Sequence, residues 1–459
     1  MNRADIESAE YKRMTESSVP SLVLKMSLPT VLSMLITSIY NMADTFFVSM
    51  LKNSSAVGAI GIVLSLQSII QAIGYGLAMG ASSLVSRKLG ERETEKAGRY
   101  TSSAFFAGIL CGTLLSCICF IDLDGMLSLF GSTDTMLPYA VKYATVILIG
   151  APMMCASFVL NSSLRAEGKA TFSMIGMTLG GIINIILDPI FIFVLGLGVT
   201  GAAAATAISQ SISFLVLLSF YLMKKSLVTL SFRLVSRDIK DYLLIVKTGL
   251  PTFFRQGLGS LATTLLNTQV KVFDNDSIAA AVSVSNKIYM IVRSLVIGIG
   301  QGFQPVAGYN YGAKKLDRVK RSFNCAVLFG SAVSCVCSVI LMIFAENIIG
   351  VFSAADEVTV EIGSTMLRFI AIALPFLGYS TFVNQLYQCL GFVKGATFLA
   401  SCRQGIFFIP AIFVLPYFLK LTGIQMAQPV ADILTFAVSI PFHIGFVKNV
   451  LNKNADNKL

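Results

Sequence analysis

Charge is what this sequence has least of. Asp, Glu, Lys and Arg make up 13% of its 459 residues, where a soluble globular chain carries roughly 25%. Against that scarcity stand 55% hydrophobic residues and a mean hydropathy of +0.76, which make a bilayer rather than water the main solvent. Histidine is nearly absent. The one present, His443, sits near the inner end of the last apolar run and reads as structural or interfacial rather than catalytic. No nucleophile–base pair and no metal-ligand set accompanies it, which speaks against an enzyme. A Walker A sequence is lacking, so ATP is not the expected energy source. No filter-like segment is present, which speaks against a channel. The nine cysteines all fall in or at the edge of apolar runs. A disulfide framework or a zinc site would place them in polar loops at ligand spacing, so they read as small apolar fillers. No secretory leader is expected: the first twenty residues are polar and mixed in charge, and the first apolar run, Leu22 to Met50, is too long for one. No cofactor is expected.

What is present is a series of long apolar runs. About 20 apolar residues cross the hydrocarbon core as a helix. Such runs lie near 22–49, 56–83, 100–121, 137–161, 171–195, 199–223, 247–272, 278–305, 322–345, 361–391, 396–420 and 424–447. The expected fold is therefore an all-α integral membrane protein of about twelve transmembrane helices. The net charge of +11 comes from short Lys/Arg clusters between these runs, which argues against nucleic acid as a partner. Alternate loops hold Arg87, Lys88, Arg92, Lys96 and Arg99, then Arg165 and Lys169, then Lys224 to Lys240, then Lys314 to Arg321. The opposite loops hold little basic beyond Lys52, Lys271 and Lys420, beside acids such as Asp134, Asp274 and Asp356. The basic side is read as cytoplasmic, with both termini there, in the cell membrane.

The chain also repeats itself. A shift of 222 puts Leu28-Pro29-Thr30 on Leu250-Pro251-Thr252, Gly80 on Gly302 and Gly90 on Gly312. At 223, Asn161 meets Asn384 and Gly168 meets Gly391; at 225, Gly198 meets Gly423. Six helices per half is an even number, so both halves enter from the same side as parallel repeats, an architecture commonly used for alternating access. The expected organisation is a tail over 1–20, a six-helix lobe over 21–223, a linker over 224–243, a second six-helix lobe over 244–447 and a tail over 448–459.

Charged residues inside a span are costly and mark function. The first lobe holds two such acids, Asp44 and Asp188. At about 1.5 Å rise per residue, Asp44, Asp188 and Thr206 lie about 12, 8 and 7 Å outward of their helix midpoints. Asn184 lies one turn below Asp188 on the same face. Pro189 lacks an N–H and clashes with the carbonyl of Ile185, so a kink is expected there. Asp44, Asn184, Asp188 and Thr206 together form a set of hard oxygen ligands suited to a small cation or a shared proton, with no other metal expected. A bland alternative is that Asp188 caps the kink and Asp44 bonds nearby. Tyr40, Gln67, Gln71 and Gln210 are candidate substrate contacts, supported by Tyr75 and by Met34, Met42, Met174 and Met177 as adaptable apolar surface. Ordinary helix packing would account equally well for each of these taken alone.

The second lobe is basic. Its spans carry Arg255, Lys287, Arg293, Arg368 and Arg403 against one clear mid-span acid, Asp432. Lys287 and Asp432 both lie about 6 Å outward of their midpoints, so they are expected to pair. The other cations read as pinned by carbonyls and amides such as Asn267, Asn384, Gln385 and Gln388, or as repelling cationic substrate toward the first lobe. Gly196-Leu-Gly198-Val-Thr-Gly201 matches GxGxxG, but no strand precedes it and Tyr221 stands where an acid is required. These glycines read as a tight turn between helices.

Several stretches resemble the multidrug and toxic compound extrusion (MATE) family. They are Tyr40-Asn41-Met42-Ala43-Asp44-Thr45, Asn184 to Asp188-Pro189, Gly198 to Thr206, and Gly300-Gln301-Gly302-Phe303-Gln304-Pro305 running into Gly308-Tyr309-Asn310-Tyr311-Gly312. The resemblance covers the whole chain and is greatest to the branch with DinF-like and MepA-like members. It implies a V-shaped twelve-helix antiporter that expels xenobiotics against a Na+ or H+ gradient, with the coupling cation handled by the N-terminal lobe. The implied cargo is small, organic and cationic, and the chain is expected to act as a monomer. A flippase of a lipid-linked precursor is the alternative that related folds suggest. It would need a larger and more cationic cavity.

Overall fold

The computed structural model describes residues 3–51, 54–352 and 356–448. Lys52 and residues 449–459 of the expected C-terminal tail lie outside them. Among the described residues every regular element is a helix. A short helix α1 (Arg3–Glu16) precedes α2 (Val19–Ser49), α3 (Ser54–Gly90), α4 (Thr94–Ile121), a surface turn α5 (Leu123–Leu129), α6 (Leu137–Ala166), α7 (Ala170–Pro189) and α8 (Gly198–Leu222). The second half follows as α9 (Ile239–Lys271), α10 (Asp276–Gly312), α11 (Leu316–Phe352), α12 (Glu357–Leu390), α13 (Val393–Ser401), α14 (Ile409–Leu419) and α15 (Leu421–Phe446). Among the described residues, eleven spans are long and apolar enough to cross a membrane: α13 and α14 form one continuous span, Val393–Leu419, and α9 is not among the eleven. With 33 residues α9 is long enough, and it lies where the repeat requires a twelfth span. Its polar face, which carries Arg255 and Gln256, lowers its hydropathy and lines a cleft.

The local rules behind these elements are visible at their ends. Asn275 caps α10 by accepting from the Ser277 and Ile278 N–H groups at 2.9 and 3.3 Å. Gly168 and Gly391 turn the chain at φ +86° and +87°, a left-handed conformation that glycine adopts without steric cost. These two positions correspond at the offset of 223. One helix turn or more before each, an asparagine amide reaches across to the next helix: Asn161 donates to the Ser173 carbonyl at 3.1 Å, and Asn384 to the Ala396 carbonyl at 2.6 Å. The repeat is therefore structural, down to single hydrogen bonds. Gly196 and Gly198 both have positive φ, as the tight-turn reading of that segment requires.

The lobes meet along α2 with α10 and α3 with α9. Every close approach named here lies in the halves of these helices nearer the basic loops. Ser27 Oγ donates to the Ile299 carbonyl at 3.1 Å and Thr30 Oγ1 to the Gly298 carbonyl at 2.7 Å. A Cβ on Gly90 would overlap the Tyr309 carbonyl, and one on Gly312 would overlap the Arg87 carbonyl. Those two contacts exchange under the offset of 222, which marks the local pseudo-two-fold axis between α3 and α10. In the far halves the lobes part, leaving a cleft of about 480 Å³ lined by α3 on one wall and α9 and α10 on the other.

The N-terminal segment, expected as a polar tail, is the helix α1 docked across this closed side. Arg13 donates to the Gly168 carbonyl at 2.7 Å in the first lobe. From the second lobe, Asn310 donates to the Met14 carbonyl at 3.0 Å and Lys315 to the Thr15 carbonyl at 3.1 Å. Met14 is fully buried, a large apolar side chain that anchors an otherwise polar helix.

Candidate functional site

The first-lobe acids stand on two helices, α2 and α7, and face α6 and α8. Asp188 is fully buried, as are Asn184 and Thr206 to within a few per cent. Asn184 is the hub: its amide nitrogen reaches Asp188 Oδ1 at 3.3 Å and Thr206 Oγ1 at 3.5 Å. The i,i+4 spacing on α7 thus puts Asn184 and Asp188 together, and α8 delivers Thr206 from the neighbouring helix. Asp44, half-buried on α2, lies near enough to act electrostatically on Asp188. Past Pro189 the backbone widens into a π-helical turn over Ile190–Val194, with the Leu195 N–H bonded to the Ile190 carbonyl at 2.9 Å. Proline at that position removes a donor, and the wider turn is how the helix continues beyond it.

Three oxygens in this group are buried without a hydrogen-bond donor: Asp44 Oδ1, Asn184 Oδ1 and Asp188 Oδ2. Buried acceptors are normally satisfied, so a cluster of three unmet oxygens, two of them on carboxylates, is a place where a cation or proton would supply the missing partner. A fourth helix contributes as well. Tyr143 on α6 is fully buried, lies within hydrogen-bond reach of Thr206 and is exposed to the charge of both aspartates. Nothing in the sequence distinguished it from other tyrosines near span ends; only the fold turns it inward.

The candidate substrate residues divide. Gln67 and Gln71, one turn apart on α3, line the cleft. Tyr40 and Gln210 do not. They lie within hydrogen-bond reach of one another inside the first lobe, with Tyr40 next to Asp44 and Tyr75. Tyr75 is itself stacked on Phe158 with ring centroids 4.0 Å apart. Tyr40 therefore belongs with the acidic site, and Gln67 and Gln71 belong with the cleft.

The second lobe requires a correction. Asp432 is not paired with Lys287. Its Oδ1 accepts from Arg403 Nε at 2.9 Å and from Gln428 Nε2 at 3.0 Å, and its Oδ2 accepts from the Tyr289 hydroxyl at 2.7 Å. Arg403 closes the circuit by donating from Nη2 to the Tyr289 oxygen at 2.8 Å. Equal depth brought Lys287 to attention, but depth leaves the rotation of the helix undefined. Tyr289, two residues further along α10, is the residue that faces the acid. Two of the amides expected to pin cations have other partners: Gln388 donates to Thr252 Oγ1 at 2.7 Å, and Asn384 to the Ala396 carbonyl at 2.6 Å. Arg293 remains, with its buried Nε lacking an acceptor, on the cleft wall beside Arg255.

Comparison with known proteins gives matching results at three levels. The MatE family model matches twice, over residues 29–190 and 251–414, and the two matches start 222 residues apart (251 − 29) and end 224 apart (414 − 190). The multidrug export protein MepA of Staphylococcus saprophyticus subsp. saprophyticus is 28% identical over 418 residues, covering 91% of this chain and 92% of that protein. MepA of Staphylococcus haemolyticus is 28% identical over 419 residues, covering 91% of each. Two solved structures share the fold. A MATE protein in complex with MaL6 superposes with a TM-score of 0.90 at 23% identity, over 95% of this chain and 98% of that one. An outward-facing multidrug resistance MATE transporter superposes with a TM-score of 0.89 at 24% identity, over 95% and 97%.

Proposed function

The chain belongs to the MatE family, and from that premise we propose that it is a secondary active exporter of drug-like organic molecules, driven by Na+ or H+ entering at Asp44, Asn184, Asp188 and Thr206. The observation that carries this reading is the set of three donor-less oxygens on Asp44, Asn184 and Asp188. A Na+ ion would be held by them directly. A proton would sit on one carboxylate and be donated to the other group. Either ion makes the site neutral enough to remain buried, because an isolated carboxylate out of water is costly. The export assignment is supported by the two MepA multidrug export proteins, which match over nine-tenths of this chain.

The working cycle follows from the contacts between the lobes. The basic face is taken as cytoplasmic. The cleft then opens away from the cytoplasm, while the backbone contacts around Gly90, Gly312, Ser27 and Thr30 close the cytoplasmic side. This is the state in which cargo leaves and the driving cation enters. Ion binding advances the cycle only if the two conformations differ in affinity for the ion. The π-helical turn beyond Pro189, adjoining Asp188, is where such a difference would be converted into a change of helix shape. A cleft of about 480 Å³ lies within the ordinary range for drug-sized ligands, about 300–1,000 Å³, which favours such cargo over a lipid-linked precursor. The test is ethidium efflux from proteoliposomes under an imposed Na+ or H+ gradient. Acceleration by one gradient and not by its absence is expected; indifference to both would overturn the reading.

A further inference from the structure

The cleft has two walls of different character. The first-lobe wall presents neutral amides, including Gln67 and Gln71. The second-lobe wall presents two guanidinium groups, Arg255 and Arg293, and among the described residues no carboxylate lines the cleft. The acid nearest to hand, Asp432, has both oxygens committed to Arg403, Gln428 and Tyr289. Arg403 and Asp432 thus form a closed hydrogen-bonded pair, and although Asp432 also attracts Arg293, neither of its oxygens is left free to accept from the other two arginines. Arg255 makes one long hydrogen bond, to Thr252 Oγ1 at 3.3 Å. Arg293 keeps a buried Nε with no acceptor, and both Arg255 and Arg403 are close enough to repel it. Two cations on one wall of a partly desolvated cleft, neither with a carboxylate bonded to it, leave room for a counter-charge brought by a ligand. Guanidinium groups present a planar fork of donors that fits a carboxylate in two-point fashion.

We propose that Arg255 and Arg293 form an anion subsite in the cleft, and that the cargo bound there is an organic zwitterion or acid whose carboxylate docks between them. This inference rests on the exporter reading and narrows it. Of two cargoes alike in size and shape, the paired arginines hold more tightly the one that brings its own negative group. The cationic part of a zwitterion then lies toward the amide wall, on the side of the acidic first lobe. Lys287 takes no part, since it does not line the cleft.

The experiment uses a dye pair that differs by one charge: rhodamine 19, which carries a free carboxylate, and rhodamine 6G, its ethyl ester. Binding of each to the purified full-length chain is measured by fluorescence polarisation. The double variant R255Q/R293Q is expected to bind the acid at least tenfold more weakly while its affinity for the ester stays within twofold or improves. R255K/R293K, which keeps the charges and loses the forks, is expected to recover part of the acid binding. Equal loss for both dyes, no loss for either, or no acid binding by the unaltered chain overturns the subsite. Should R255Q/R293Q fail to fold, the lysine variant and the single variant R255Q decide by the same acid-to-ester ratio. Gradient-driven efflux of rhodamine 6G is measured alongside. If that efflux is absent while the acid-selective loss persists, the exporter reading falls and the subsite stands. If efflux is intact without acid-selective loss, the subsite alone falls.

Discussion

The two lobes descend from one repeated unit and yet handle their buried acids in opposite ways. In the second lobe Asp432 is saturated: three donors surround it and an arginine neutralises it. In the first lobe Asp44, Asn184 and Asp188 each keep an unmet oxygen. The positions that correspond to the first-lobe acids are apolar in the second. Asp44 maps to Leu266 at the offset of 222, and Asp188 maps to Ala411, Ile412 or Phe413 at offsets of 223 to 225. A saturated ion pair is structural because it gains nothing from a new ligand. An unsaturated cluster is what the proposed cation site requires, because its open oxygens would gain from a new ligand. Satisfaction of the oxygens, more than the mere presence of charge, separates the acids of the first lobe from the acid of the second.

The largest effect that could break this contrast is expected at the acids of the first lobe. Asp44→Asn and Asp188→Asn should each reduce gradient-driven efflux to the level of empty liposomes, while the protein stays folded and inserted. Asparagine keeps the volume and one carbonyl oxygen but cannot hold a charge or release a proton. Transport at the normal rate in either variant would remove the site from the mechanism.

The second lobe should answer differently. Asp432→Asn leaves the Arg403 guanidinium buried without its counter-ion, a change that costs about 3–5 kcal/mol in comparable pairs. Thermal unfolding should therefore fall by many degrees, while the surviving protein keeps its ion dependence. Replacing both partners, Asp432→Leu with Arg403→Met, should restore part of the loss, since two apolar groups can fill a site that one orphaned charge cannot. A double variant no more stable than the worse single one would show that the pair does not brace the lobe. Lys287→Ala should change stability by less than about 0.5 kcal/mol, the usual range for a side chain without special partners.

Thr206 sharpens the comparison on a smaller scale. Thr206→Ala removes one neutral oxygen from the candidate cation site and a partner from both Asn184 and Tyr143. A neutral hydrogen bond contributes about 0.5–1.5 kcal/mol, so the concentration of driving ion giving half-maximal efflux should rise by a factor of roughly 2–10. An unchanged ion dependence would place Thr206 outside the site.

The smallest expected effect concerns a loop at which the lobes also differ. Glu167, after α6, is fully buried where the second lobe has Leu390 at the offset of 223. Its carboxylate accepts from Ser226 Oγ at 2.8 Å and from the Leu227 N–H at 2.6 Å. Burial nevertheless pushes its pKa up from the ordinary 4.5 to about 7. The folded state then holds a proton between those values that the unfolded state releases, so this group's contribution to stability declines as pH rises from about 4.5 to about 7. Glu167→Gln should remove that decline. Melting temperatures of the two proteins compared from pH 5 to 8 should diverge with rising pH, and parallel curves would mean that the carboxyl is already ionised throughout.

How much of this was legible beforehand depends on what kind of coordinate each feature needs. The repeat, the spans and the alternation of basic loops are one-dimensional, and the matched hydrogen bonds of Asn161 and Asn384 follow from an offset that two letters of sequence reveal. Asn184 and Asp188 were legible for the same reason, because i,i+4 spacing defines a shared helix face without reference to any neighbour. Tyr143 and the Arg403–Asp432 pair were not. A residue's height in the membrane follows from counting at a fixed rise per residue. Which way it points depends on how its helix is rotated against others far away in the chain. Hence Lys287 and Asp432 matched in height and missed in direction, and the docked helix α1 looked like a tail because its buried apolar anchor, Met14, gives no periodic signal.

The sequence by itself determined a membrane-embedded, twofold-repeated bundle with acids in one half and arginines in the other, since hydropathy, repeat offset and charge are properties of the letters and their spacing. Tertiary structure alone decided which of those charges are satisfied and which are left open. Satisfaction depends on donors brought to within about 3 Å from other helices, 29 residues away for Arg403 and Asp432 and 143 for Tyr289 and Asp432, and that distance is set by helix rotation and packing, which no local spacing encodes.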